Sequence, residues 1–281
     1  MVNLFYLDKD PKKCAQYYCD KHVNKILIEI GQILSQIHHL YGTKTPPYKS
    51  CKAVSKNLKP LIWAFSSKSN YLYCCDLGKA LLDEYKFRYQ KDSHKCEKVI
   101  QWLTENIPSK IEGKRRTKFL LTDNVSIYSE YFKDPVEASR YMYVDFKCKN
   151  DNWSRRGKPI WFDLYKKKSE KEKEKLKYKI MINVREKLPE LSKKHKLKVR
   201  RFHSFLRVCY DELFQDKWDR KIKTMKNMFD PNKPLIDQLG VAHLRKVYEI
   251  SNLIFDLEIL DVLNNNSMRY RNKLKKKIIT N

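Results

Sequence analysis

Apolar positions along the chain fall into stretches of helical period separated by short polar breaks. Residues 2–7, Val-Asn-Leu-Phe-Tyr-Leu, are an apolar run too short for a helix and read as an extended segment. Asp10 before Pro11 is a helix start with proline at the first helical position. From about Lys13 to Tyr41, Ala15, Cys19, Ile26, Ile30, Ile33 and Ile37 recur at helical spacing with no proline between them, which predicts one long helix ending before Gly42. A second helix is predicted over about Pro60–Tyr89 and a third over about His94–Asn106. Residues 107–134 show no period and read as a long loop carrying the basic cluster Lys114-Arg115-Arg116. Asp134-Pro135 opens another helix over 135–149.

Past Phe162 the pattern changes. The run Lys166–Lys179 alternates mostly Lys with Glu and has few core anchors, so it reads as a solvated or partly disordered helix. Periodicity returns over Phe202–Phe229 and Leu235–Leu263, and a basic tail follows at Arg269–Lys277. The expected fold is therefore mostly α: a helical domain at 1–163 with an extended N-terminal segment, then a basic helical extension at 164–281. The 6 glycines and 10 prolines are too few for an all-β chain built on tight turns.

Charge adds a partner class. The chain has 60 Lys+Arg against 33 Asp+Glu, a formal net charge of +27. Residues 1–163 carry 29 basic and 18 acidic residues, and 164–281 carry 31 and 15, so the excess is not confined to a tail. A field of this sign attracts polyanions, and nucleic acid, DNA or RNA, is the expected partner. The eight cysteines form no Cys-x-x-Cys pair and are expected as buried thiols in a reducing compartment. No apolar run approaches the length of a membrane span, so no membrane is expected as a partner. There is no glycine-rich phosphate loop and no Ser-His-Asp spacing, and His38-His39 has no Cys or acid at ligand spacing, so neither a metal nor a cofactor is expected.

Two stretches carry candidate chemistry. In Asp20-Lys21-His22-Val23-Asn24-Lys25-Ile26-Leu27-Ile28-Glu29, His22 and Glu29 lie seven residues apart, almost two full turns, on one side of a helix with Lys25 between them. A Glu so compensated can accept a proton or stabilise a cation. The same spacing is also that of an ordinary surface Lys–Glu pair. In Trp153-Ser154-Arg155-Arg156-Gly157-Lys158-Pro159-Ile160-Trp161-Phe162, Arg155, Arg156 and Lys158 can neutralise phosphates, and Trp153 and Trp161 can stack on a base. The same tryptophans can equally plug a core.

Resemblance adds to these readings. The N-terminal 163 residues resemble an uncharacterised family of phage and large-DNA-virus proteins. The likeness rests on Leu7-Asp8-Lys9-Asp10-Pro11, on Ala15-Gln16-Tyr17-Tyr18-Cys19-Asp20-Lys21-His22-Val23-Asn24-Lys25, on Trp63, Asn70-Tyr71, Glu84-Tyr85 and Arg88-Tyr89, and on Asp134-Pro135-Val136-Glu137-Ala138. More distantly, the order of features is similar to the pyrimidine-dimer DNA glycosylases of the endonuclease V type. Those have a reactive N-terminal amine, Asp-x-His on helix one, a catalytic Glu seven residues later, a basic long helix and an aromatic-x₃-Gly-Lys segment. Asp20-Lys21-His22, Glu29, Arg88 and Trp153–Lys158 stand at the matching places.

The resemblance implies a DNA glycosylase and abasic-site lyase. After loss of Met1, Val2 would supply the nucleophilic amine, where that family has a hydroxyl residue. Glu29 would move protons, and His22, Lys21, Lys25 and Arg88 would serve the site and its phosphates. The alternative is a non-enzymatic viral DNA-binding or packaging protein on a decayed version of that fold. Either protein would act in the host cytoplasm or nucleus, or travel in the virion, and would not be secreted.

Overall fold

The structure, a computed structural model, describes residues 2–121, 128, 132–148, 152–195, 235–241, 244, 245 and 247–249. The chain divides into two compact units, Met1–Lys167 and Lys168–Asn281. The described chain is mostly helical, with no strand among the described residues. In the first unit α1 is Pro11–Tyr17, α2 Asp20–Leu40, α3 Lys59–Phe65, α4 Lys68–Tyr89, α5 Glu97–Glu105 and α6 Pro135–Met142. A π turn, Tyr143–Lys147, continues α6, and α7, Ile160–His195, begins in this unit. None of the described helices is long and apolar enough to cross a membrane.

The expected first helix is two helices. It breaks at Tyr18 and Cys19, whose backbones are extended (ψ 138° and 160°). A break strands carbonyl groups at the end of the first helix, and buried carbonyls need donors. Arg88 supplies them to Gln16 O at 2.9 Å and Tyr18 O at 2.7 Å, and the Trp153 indole N–H supplies one to Tyr17 O at 3.0 Å. The expected second helix also splits, into α3 and α4. Ser67 caps α4, its hydroxyl accepting from the Ser69 N–H at 3.2 Å, in the extended backbone at the joint. The described part of the expected loop 107–134 is irregular before Phe132, apart from helical Tyr128. The expected helix 135–149 is α6 plus the π turn.

Residues 2–7 are extended and buried, yet they join no sheet. Side chains take up their backbone groups instead. The Tyr18 hydroxyl donates to Phe5 O at 2.5 Å and accepts from the Phe5 N–H at 3.2 Å, and Arg140 donates to Leu7 O at 2.7 Å. Just beyond, Tyr73 donates to Asp8 O at 2.7 Å and Arg116 donates to Lys9 O. The segment thus runs through the core against α1, α2, α4 and the π turn. Phe5 meets His22 and Tyr143 edge-on, and Tyr6 stacks on Phe119.

In the second unit, Lys168–Lys179 is helical as part of α7, not disordered. Ser169, Leu176 and Ile180 form a buried stripe on it. The short helix α8, Leu235–Gln238, carries Asp237, which pairs with Lys177 at 2.9 Å, and Arg245 pairs with Glu172. Ile236, Leu239, Val241, Leu244 and Val247 are buried here. The helix expected over Phe202–Phe229, the remainder of the one expected to Leu263, and the basic tail lie outside the described residues.

Candidate functional site

Helix α2 carries the candidate stretch, and its two ends differ. At the C-terminal end of the stretch, Glu29 is 7% exposed. Its Oε2 accepts the Asn3 backbone N–H at 3.0 Å, and its Oε1 lies 3.8 Å from Lys25 Nζ. The Val2 nitrogen is three bonds from Asn3 N, about 4.3 Å along the chain. It therefore lies within roughly 7 Å of the Glu29 carboxylate. Burial raises the proton affinity of Glu29 above the ordinary carboxylate range, opposed by the Asn3 N–H and by the positive charge of Lys25.

Lys147, at the end of the π turn, feels the charges of Lys25 and Glu29. Burial and the neighbouring Lys25 ammonium pull its pKa down to about 8, and the Glu29 charge acts in the other direction. Nothing in the sequence distinguishes Lys147 from the chain's many other lysines. Only the packing of the π turn brings it within range of those charges.

His22 lies two turns before Glu29 but points into the core at 3% exposure. Its Nδ1 is 2.8 Å from the Tyr143 hydroxyl and 3.1 Å from Cys19 Sγ. The Tyr143 hydroxyl also accepts the Cys19 backbone N–H at 2.9 Å. The Cys19 thiol is held below its usual range, first by a hydrogen bond from Cys148 and then by His22 and Tyr143, against the effect of burial. His22, expected to serve phosphates, is instead a buried link between α2 and the π turn. The physical reason is the break before α2, which turns the first turn of that helix inward beneath Phe5.

The other end of the stretch is a closed ion network. Arg88, with a fully buried side chain, pairs with Asp20 at 3.1 Å and Glu84 at 2.9 Å in addition to its two carbonyls. Arg156 binds Glu84 through two nitrogens, at 2.7 and 3.1 Å, and lies 4.4 Å from the centre of the Phe87 ring. Asp20 also accepts the Ser154 N–H at 2.9 Å and its hydroxyl at 2.6 Å, fixing the turn in which Arg155 has φ 58°.

These positions were expected to meet DNA. The structure brings Arg88, Trp153 and Arg156 together, but around Asp20, Glu84 and the carbonyls of the α1–α2 break. Trp153 is buried edge-on against Phe162 and is not a stacking platform. Trp161, the other expected platform, has Arg140 over its ring at 5.1 Å. Lys158 pairs with Asp163 at 2.9 Å but stays half exposed. Lys21, Lys25 and Arg155 remain exposed cations beside this surface.

No family model, curated protein or solved structure matches the chain.

Proposed function

We propose that this chain binds DNA and acts as a glycosylase and abasic-site lyase, with the α-amine of Val2 as nucleophile and Glu29 as the group that moves protons. One observation carries the reading: the 3.0 Å hydrogen bond from the Asn3 amide to Glu29, which ties the first residues of the chain to a buried carboxylate. An α-amine titrates near pH 7.7–8.0, so a useful fraction is neutral at pH 7. Its lone pair forms the N–C1′ bond as the glycosidic bond breaks, and the base leaves with the bonding pair and takes up a proton. The ring-opened sugar is then an imine of the protein amine. Loss of a C2′ proton to Glu29 expels the 3′ phosphate and nicks the strand. Exposed Lys21, Lys25 and Arg155 supply phosphate contacts, and the net charge of +27 supplies salt-sensitive affinity. We assign the chain on this reading to the phage and large-DNA-virus proteins it resembles, acting in the host cell.

A second reading, a non-enzymatic DNA-binding or packaging protein, is favoured by the burial of Val2, which is 5% exposed. Borohydride trapping on DNA with an abasic site or a pyrimidine dimer separates the two. The lyase reading expects a covalent protein–DNA adduct and strand nicking. Salt-sensitive binding with neither adduct nor nick leaves the second reading.

A further inference from the structure

The basic cluster Lys114-Arg115-Arg116 plays no part in the Glu29 site, and the structure gives it another setting. Residues 112–117 are fastened along the joint between α3 and α4. The Lys68 N–H donates to Glu112 O at 2.7 Å, the Ser67 hydroxyl lies 3.1 Å from Gly113 O and 2.8 Å from Arg115 O, and the Trp63 indole N–H donates to Thr117 O at 3.1 Å. Gly113 has φ 101°, and a Cβ there would come 2.8 Å from Ser67 Oγ, so the turn admits only glycine at this point. Arg116 is engaged: it donates to Lys9 O and lies over the Tyr73 ring at 5.2 Å. Lys68, Lys114, Arg115 and Lys118 stay exposed and enter no ion pair among the described residues. Residues 65–75 and 107–121, the two segments that meet here, hold six Lys and Arg against one acid, Glu112.

An aromatic pair adjoins the same joint. Helix α3 buries Pro60, Leu61, Trp63 and Ala64 but leaves its last residue, Phe65, 38% exposed. The ring of Tyr41, which ends α2, stacks on it with centroids 5.2 Å apart and planes 23° from parallel. An exposed aromatic face takes the face of a nucleobase, and unpaired cations take the phosphates on either side. A duplex keeps its base faces inside the stack, whereas an unpaired strand offers them. We propose that Tyr41 and Phe65, with Lys68, Lys114 and Arg115, form a binding surface for single-stranded nucleic acid. The phenyl ring of Phe65 has no hydrogen-bonding group, so the surface accepts any base. Leu40, the last residue of α2, stands eleven residues past Glu29, about 17 Å along the helix. The surface thus shares the polyanionic partner of the reading above but none of its chemistry.

Photocrosslinking locates the bound strand. The full-length protein is mixed with lesion-free oligo-dT carrying 5-iodouracil, irradiated and digested, and the crosslinked peptides are mapped by mass spectrometry. The expected result is a crosslink on Tyr41 or Phe65, reduced about fivefold or more in Phe65→Ala and retained in Phe65→Trp. Lys114→Gln with Arg115→Gln, both exposed, should lower the salt slope of oligo-dT binding by about 1.4, the share of two phosphates on a single strand. Crosslinks confined to other parts of the chain overturn the proposal. So does a crosslink of equal yield at these rings when the modified strand is annealed into a duplex, or its loss to polyglutamate of matched charge and concentration. The DNA bears no lesion, so these outcomes are independent of whether the chain excises or nicks, and failure of the lyase reading leaves them unchanged. The wild-type map decides even if Phe65→Ala does not fold.

Discussion

Asp20 and Glu29 begin and end one ten-residue stretch of a single helix, yet their surroundings are opposites. Around Asp20, two carboxylates and two guanidiniums close on one another, and the donors left over serve the carbonyls of the α1–α2 break. Around Glu29, one carboxylate meets Lys25 and a backbone amide, with the carboxyl pushed up by burial. Saturated networks of the first kind hold structure together. Mismatched groups with displaced proton affinities are the pattern of chemical sites. The difference sets a structural network at Asp20 apart from the candidate chemistry, which stays at Glu29 on the same helix.

The largest effect should come from the saturated end. Arg88→Met removes the cation that two carboxylates and two buried carbonyls share, and should destabilise the protein by about 3–5 kcal/mol in denaturant unfolding. A loss below 1 kcal/mol would mean that this network is peripheral and that Arg88 is available for other work.

Glu29→Gln should do the reverse. Excision and nicking should fall by roughly 10²–10⁴-fold while DNA binding is retained. Stability at neutral pH should be unchanged or higher by up to about 1 kcal/mol, because the amide can still accept the Asn3 N–H and carries no buried charge. The sign in pH follows from the raised proton affinity. Folded Glu29 holds its proton above the ordinary carboxylate range, so its contribution to stability falls as pH rises from that range through the raised value. The variant should lose that fall, read as a flatter dependence of unfolding free energy on pH.

The smallest effect tests the element between the two ends. Tyr143→Phe removes the hydroxyl that joins Cys19 and His22 and should cost about 1–3 kcal/mol in unfolding. If it also weakens trapping while DNA binding holds, the π turn positions the Glu29 cluster. If only stability changes, the two regions act independently.

Much of this was legible in the chain itself. Helical period gave the mostly α character, and the Asp10-Pro11 and Asp134-Pro135 starts stand where α1 and α6 begin. The seven-residue spacing put His22 and Glu29 on one helix, and the apolar run 2–7 was extended as expected. The break at Tyr18–Cys19 left no trace in the period, because apolar residues continue through it and its stranded carbonyls are served by residues 70 and 136 positions away. Arg88, Arg156 and Trp153 look like nucleic-acid contacts in a linear reading because composition reports that a side chain can bind an anion, not which anion it finds. Their partners, Asp20, Glu84 and the α1–α2 carbonyls, were fixed only when distant segments packed. Lys147 was invisible for the converse reason. Its chemical character is not a property of lysine but of desolvation within range of the Lys25 and Glu29 charges, and only tertiary structure creates that environment.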